Sequence, residues 1–151
     1  MISDLADLYQ EIIVDHGKRP RNLRVIDVAN RTAEGFNPLC GDRVRVYVQV
    51  DGERLADISF TGSGCAICTA SASLMTQFLK DRDETAAHET FEQFIAVVTG
   101  QTDDEDTLTA LGKLAALAGV RKYPVRVKCA TLPWHTLEAA LQDTDNVVST
   151  E

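Results

Sequence analysis

Three of the four cysteines lie where a turn or a helix start is expected to expose free backbone N–H groups. Cys40 is found in NPLCGD, Cys65 in GSGC and Cys129 in RVKCA. Free N–H groups and the helix dipole favour the thiolate over the thiol at such places. Thiolates bind soft metal ions and carry sulfur. The three sequences therefore predict a metal or sulfur-transfer site, provided that the fold brings them together.

Asp42 is a candidate fourth ligand because it follows Cys40 across Gly41. Three thiolates and one carboxylate would form a tetrahedral set suited to Zn²⁺, at roughly 2.3 Å from each sulfur. The carboxylate is the hard member of a soft set, so we expect it or one thiolate to be displaceable. The alternative for Asp42 is a turn residue that bonds nearby backbone. Spacing alone leaves the convergence open, since the cysteines lie on well-separated segments.

The fourth cysteine and the histidines carry weaker signals. Cys68 follows Cys65 as Cys-x-x-Cys, which raises the alternative of a redox dithiol, although a small buried apolar side chain is the favoured interpretation. His16, His88 and His135 are interpreted as structural or solvated groups rather than ligands.

Composition limits the class of protein. The 151 residues predict one domain over residues 1–142, followed by a polar tail over 143–151. A net charge of −8 argues against nucleic-acid binding. No apolar run is long enough to span a membrane, and the start of the chain does not resemble a signal peptide. The expected location is the cytoplasm, where thiols stay reduced.

Hydrophobic periodicity predicts a single α/β domain that contains an antiparallel hairpin and several helices. The clearest strand runs over 43–50 and returns over 54–61 through an Asp51-Gly52 turn. The remaining predicted elements are helices over about 4–16, 66–80 and 104–118, a helix opening at Thr90, a short strand over 23–29, an extended stretch over 124–127, and a last helix from near Cys129 to about 142 with Pro133 in its first turn.

Three ordered motifs resemble the U-type iron–sulfur assembly proteins, the IscU/NifU N-terminal family. They are NPLCGD around Cys40, GSGCAI followed by ASASLM after Cys65, and VRVKCATL around Cys129. The resemblance covers nearly the whole chain and implies the family's α+β fold, a small antiparallel sheet of about three strands with helices packed on one face.

Departures from the IscU-type scaffolds favour the SufU-type branch of this family. Those scaffolds carry a histidine before the third cysteine, where this chain has Lys128. They also carry a Leu-Pro-Pro-Val-Lys stretch there, where this chain has KYPVR over 122–126. The segment between Cys65 and Cys129 is longer here, which the predicted helix over 104–118 would explain.

The resemblance implies a zinc-dependent sulfur acceptor that works with a PLP-dependent cysteine desulfurase of the SufS type. Cys40, Asp42, Cys65 and Cys129 would hold Zn²⁺, and Cys40 would accept persulfide sulfur and relay it to downstream iron–sulfur scaffold proteins. Arg126 would tune the exchange by pairing with Asp42 or a thiolate, or else lies in solvent. The alternative is an IscU-like scaffold that holds iron or an Fe–S cluster at the same residues. A membrane partner is not expected.

Overall fold

The computed structural model describes the backbone of residues 2–142 and 148–149, and the side chains of residues 7–142. The elements, in chain order, are α1 Ile2–Lys18, β1 Arg31–Asn37, β2 Asp42–Asp51, β3 Arg54–Ser63, α2 Ala66–Leu79, α3 Glu84–Val98, α4 Glu105–Leu111, a 3₁₀ helix Gly112–Lys122, α5 Pro124–Leu141 and β4 Val148–Ser149.

The sheet has the strand order β3-β2-β1-β4, and its three long strands are antiparallel. Val44, Val46 and Val48 alternate with exposed or half-buried residues on β2, so one face of the sheet is apolar. Helices α2 and α5 pack against this sheet and share one core with it. The predicted α+β class, with an antiparallel sheet and helices on one face, is confirmed.

Close packing sets the distance between α5 and β1. A Cβ atom added at Gly35 of β1 would collide with the Thr136 hydroxyl and would lie 3.0 Å from Leu132 Cδ1. Helix α2 approaches its neighbours through small buried residues, among them Ala70, Ser71 and Ala72. Tight approach by small residues leaves little freedom for either helix to slide, so side chains at their ends keep fixed positions.

The predicted strand over 23–29 is wrong. The Arg24 N–H donates to the Phe60 carbonyl at the outer edge of β3, and the Asn30 N–H donates to the Val48 carbonyl of β2. The segment therefore crosses from the edge of β3 to the side of β2 on which β1 lies. Val25 and Val28 are 54% and 67% exposed, which shows that their apolar character does not reflect burial on a strand face. The strand that the prediction missed is β1.

Two helix boundaries also differ from the prediction. Helix α3 begins after Asp83, whose carboxylate accepts the Ala86 N–H at 2.7 Å, and Thr90 lies inside it. The predicted helix over 104–118 ends at Leu111, because Gly112 adopts a φ of 56°. The chain continues from there as the 3₁₀ helix.

The last helix begins earlier than predicted, so the extended stretch over 124–127 is wrong. Pro124 occupies the first turn of α5, where a missing N–H costs nothing, and Pro133 lies inside the helix. In an α-helix, the carbonyl of Cys129 would accept a hydrogen bond from the N–H of residue 133, and proline has no N–H to donate. Since α5 begins at Pro124, Cys129 lies in the second turn of the helix and not at its start.

Within the described residues, no helix combines the length and the apolar character that crossing a bilayer requires. Residues 143–147, 150 and 151 of the predicted tail lie outside the described residues, whereas Val148 and Ser149 pair in parallel with β1. The domain boundary at residue 142 stays a prediction.

Candidate metal centre

A hairpin turn between β1 and β2 carries the first two candidate ligands. Gly41 has a φ of 73° and donates its N–H to the Asn37 carbonyl at 2.8 Å, which closes the turn. Cys40 is exposed on this turn, whereas Asp42 is the first residue of β2 and is buried. The two side chains thus lie at one end of the sheet but differ in their access to solvent.

Cys65 lies where the sequence predicts, at the N-cap of α2. Its Sγ accepts the Cys68 N–H at 3.4 Å, and its own N–H donates to Asp42 Oδ1 at 2.8 Å. The second oxygen, Asp42 Oδ2, lies 3.8 Å from Cys65 Sγ. A sulfur at a helix N-terminus is placed where the dipole favours negative charge.

Cys129 reaches the same end of the sheet from α5. Its Sγ lies 3.5 Å from the Cys40 Sγ, and the side chain is buried. Burial raises the pKa of the Cys129 thiol, and hydrogen bonds with Asp42, Cys40 and Cys65 raise it further. The raised pKa favours the protonated thiol in the protein alone, whereas a bound cation would favour the thiolate.

Three of the four predicted donors form a group that could hold one ion. The ligand atoms of Cys40, Asp42 and Cys129 all lie within 4.8 Å of one another, whereas Cys65 falls outside that group and lies beside Asp42, with 3.8 Å between its Sγ and Asp42 Oδ2. Ligand atoms around a tetrahedral Zn²⁺ at 2.3 Å from sulfur are separated by about 3.7 Å. The separations of 3.5 Å between Cys40 and Cys129 and 3.8 Å between Cys65 and Asp42 are close to that value.

Arg126 lies near the site, but among the described residues its guanidinium contacts Tyr123 rather than Asp42 or a thiolate. Its guanidinium lies over the Tyr123 ring, 4.6 Å from the centroid, and Asp42 instead accepts from the Cys65 backbone. Arg126 nevertheless lines the groove into which the cysteines open. Its role in tuning the exchange stays a prediction.

Cys68 is packed in the core, and the three histidines interpreted as structural or solvated have partners away from the cysteines. Cys68 is buried, and burial raises the pKa of its thiol, with a smaller contribution from Asp42. His16 is 2% exposed, with Nδ1 lying 2.7 Å from the Ser73 hydroxyl. His88 is paired with Glu92 and Glu138 on the surface, and His135 meets the Phe91 ring edge-on at 5.4 Å between centroids.

One buried residue at the site carried no predicted role. Asn37 has a side chain that is 0% exposed and lies between the turn and Cys129. The only sequence signal was its place at the start of NPLCGD, where an Asn before Pro is typical of a turn. Nothing in the sequence pointed to its contact with a cysteine 92 residues away.

A groove of about 730 Å³ opens onto Cys40, Cys65 and Cys129. Helix α1, the start of α2, the 3₁₀ helix and α5 line it, and the apolar side chains Val14 and Val125 on its wall are exposed. Leu39, next to Cys40, is exposed as well. Exposed apolar groups grouped around a reachable thiol are typical of a surface that receives another protein.

A family model described as the NifU-like N-terminal domain matches residues 8–130 of the chain. The chain is also 41% identical over 136 residues to a Bacillus subtilis (strain 168) protein named zinc-dependent sulfurtransferase SufU, covering 90% of each chain. It is 36% identical to a Streptococcus pyogenes serotype M1 protein named iron–sulfur cluster assembly scaffold protein IscU, covering 96% of this chain and 89% of the relative.

A solved structure from Fervidobacterium islandicum AW-1 shares this architecture. It is described as a candidate iron–sulfur cluster assembly scaffold protein for the SUF system. The two structures superpose with a TM-score of 0.80 at 37% sequence identity, and the match covers 87% of this chain and 94% of that chain. Because the family model and both relatives span most of the sequence, the chain belongs to the NifU-like N-terminal domain family, which includes proteins named SufU and IscU.

Proposed function

We propose that this protein is a zinc-dependent sulfur acceptor in iron–sulfur cluster assembly. Cys40 would take persulfide sulfur from a PLP-dependent cysteine desulfurase of the SufS type and pass it to downstream scaffold proteins. The observation that carries the proposal is an exposed Cys40 thiol beside a buried set of donors, at the mouth of an apolar groove. Identity of 41% with a protein named zinc-dependent sulfurtransferase SufU supports it.

Cys40, Asp42, Cys65 and Cys129 are the residues that would hold the zinc ion. Bound there, zinc would keep the sulfurs as thiolates and shield them from oxidation. Asp42 is already fixed by the Cys65 N–H, so the carboxylate needs little rearrangement to act as a ligand. The proposal suits a reducing compartment such as the cytoplasm, because the four free cysteines must stay reduced.

The transfer step is a thiol exchange at a sulfane sulfur. The Cys40 thiolate attacks the outer sulfur of the persulfide on the desulfurase cysteine. A new S–S bond forms to Cys40 Sγ while the S–S bond on the desulfurase breaks, and the desulfurase cysteine leaves as a thiolate that takes up a proton. No net oxidation occurs. The exposed turn gives Cys40 access, and the apolar groove excludes water from the contact.

A scaffold function is the second candidate, because the chain is 36% identical to a protein named as an IscU scaffold over nearly its whole length. The same four residues would then hold an Fe–S cluster that is later passed to an acceptor. Lys128 lies where the scaffold type carries a histidine, which weakens this candidate.

The test is the metal content of the purified protein, combined with stimulation of a SufS-type desulfurase. We expect one zinc per chain and strong stimulation that Cys40→Ala abolishes, while Cys68→Ala retains it as the matched control. Persulfide on Cys40, detected by mass spectrometry of the intact protein, would identify the acceptor. Full stimulation by Cys40→Ala would refute the proposal.

The scaffold candidate predicts a different result. After anaerobic addition of iron and sulfide, a scaffold would develop thiolate-to-iron charge-transfer absorbance and pass the cluster to an apo-acceptor protein. Cluster transfer without persulfide on Cys40 would favour the scaffold over the sulfur acceptor.

A further inference from the structure

Asn37 is the only residue of β1 in the described chain whose side chain is both polar and fully buried at the site. It is the last residue of the strand and pairs with Asp42 across the hairpin. A buried amide is unfavourable unless its donor and acceptor groups are bonded, because transfer from water removes their hydrogen bonds. The partners of Asn37 therefore indicate why an amide is present there.

Each of the two polar atoms of the Asn37 side chain has a hydrogen-bond partner. Asn37 Oδ1 accepts the Leu39 N–H at 3.1 Å, and Asn37 Nδ2 donates to Cys129 Sγ at 3.8 Å. The orientation of the amide follows from chemistry, because a backbone N–H can only donate and must face the oxygen. The NH₂ group then faces the sulfur, which is an acceptor.

These two bonds connect the turn that carries Cys40 with the helix that carries Cys129. The Oδ1 bond and the Asn37 carbonyl, which accepts the Gly41 N–H at 2.8 Å, fix the backbone on both sides of Cys40. The Nδ2 bond orients the Cys129 sulfur, which lies 3.5 Å from Cys40 Sγ. One side chain thereby contacts the turn beside the Cys40 sulfur and the Cys129 sulfur itself, although the two cysteines lie 89 residues apart in sequence.

We propose that Asn37 is a positioning residue for the sulfur site, with Oδ1 holding the Cys40 turn and Nδ2 holding the Cys129 sulfur. This inference rests on the proposed function for its effect on transfer, but its effect on ligand geometry is independent of that function. Partners of ligand atoms that do not themselves bind the metal commonly change affinity or activity by about 10- to 100-fold when they are removed.

Two substitutions remove the Nδ2 bond to Cys129 and keep an acceptor for the Leu39 N–H. In Asn37→Ser, a hydroxyl can still accept the Leu39 N–H in a turn but is too short to reach Cys129. In Asn37→Asp, the acceptor is kept and the donor is replaced by an oxygen. Asn30→Asp is the matched control, because Asn30 also accepts a backbone N–H and donates to a carbonyl, both on Val50, at the opposite end of the sheet.

The readout besides activity is the Co²⁺-substituted protein, whose thiolate-to-cobalt charge-transfer spectrum reports the sulfur ligands. We expect Asn37→Ser and Asn37→Asp to change this spectrum and to weaken Zn²⁺ binding about tenfold in competition with a chelator. Asn30→Asp should leave both unchanged. Thermal unfolding of the three variants shows whether a change in spectrum arises from a general loss of structure.

The outcomes distinguish this inference from the proposed function. Wild-type spectra and zinc affinity in a folded Asn37→Ser protein would overturn the positioning role, whether or not Cys40 accepts sulfur. If Asn37→Asp does not fold, Asn37→Ser decides alone, since it adds no charge. When wild type accepts sulfur, about tenfold slower persulfide formation in Asn37→Ser, with unchanged formation in Asn30→Asp, supports the role.

Discussion

Exposure assigns different tasks to Cys40 and Asp42, although only Gly41 separates them. The Cys40 thiol is exposed on the turn, whereas the Asp42 carboxylate is buried and accepts the Cys65 N–H. Displacing Asp42 from an ion would leave a buried carboxylate with one bond fewer, which is costly. In the proposed site, Cys40 would therefore be the ligand that an approaching partner removes with the smallest change in the fold.

Gly64→Ala should weaken metal binding. An added Cβ would lie 3.1 Å from Asp42 Oδ1 and 3.3 Å from Cys68 Cβ, so the carboxylate or the start of α2 must shift. We expect Zn²⁺ affinity to fall about tenfold, measured by chelator competition. Gly119→Ala is the control, because a Cβ there meets nothing within 4 Å. Equal affinities in the two variants would contradict the account.

Cys68→Ala should keep its sulfur-acceptor activity. The Cys68 thiol is buried, and burial raises its pKa, so it has neither the access nor the charge of a redox partner for Cys65. We expect a loss of about 1 kcal/mol in the free energy of unfolding, measured in urea, from the smaller side chain in the core. Loss of persulfide formation on Cys40 would instead restore the dithiol hypothesis.

The sequence was most informative about residues whose context is local. Cys65 at a helix N-cap and Cys40 on a glycine turn follow from neighbouring residues. The prediction of Cys129 at a helix start is wrong, because Pro133 lies inside α5 and not in its first turn. The contacts of Asn37 with Cys129 depend on packing between distant segments, and no local pattern reports them.

Helix α5 and strand β1 position the candidate site jointly, and they approach each other closely at Gly35. Gly35→Ala should destabilise the protein by about 1–3 kcal/mol, because a Cβ would overlap the Thr136 hydroxyl. Urea unfolding measures this cost. In a double-mutant cycle, the cost should shrink when Thr136 is also replaced by Ala. Purely additive effects would show that the close approach is not the cause.

Strand β1 escaped prediction because small and polar residues replace the usual apolar alternation. Its buried positions are Ala33, Gly35 and Asn37, which do not resemble a strand face in sequence. The segment over 23–29 has the apolar residues that a strand would have, but it crosses the sheet and leaves several of them exposed. Hydrophobic pattern predicted β2 and β3 because both carry long alternating runs.

Two histidines should make opposite contributions to the way in which the free energy of unfolding of the protein depends on pH. Burial lowers the pKa of His16 below its usual value of about 6.5, whereas the hydrogen bond to Glu138 raises the pKa of His88. As pH falls below about 6.5, the unfolded chain protonates at position 16 before the folded one, so that site loses stability. The stabilising contribution of His88 is fully present below about pH 6.5, and it is lost as the pH rises through the pKa of His88 in the folded protein.

Urea unfolding of single variants between about pH 7.5 and 5.5 measures these slopes. Relative to wild type, His16→Gln should keep more of its stability at the acidic end, and His88→Gln should keep less. Slopes that change in the same direction in both variants would show that the two histidines do not act as described.

The candidate ligands come from a hairpin near residue 40, a helix start at Cys65 and a helix that contains Cys129. During translation, residues 40, 42 and 65 leave the ribosome long before Cys129 has been added to the chain. A nascent chain could therefore offer an ion only part of the candidate donor set until Cys129 has been added. Loading of the proposed site would be completed only after Cys129 has been made, and until then Cys40 and Cys65 would lack the protection of a complete metal site.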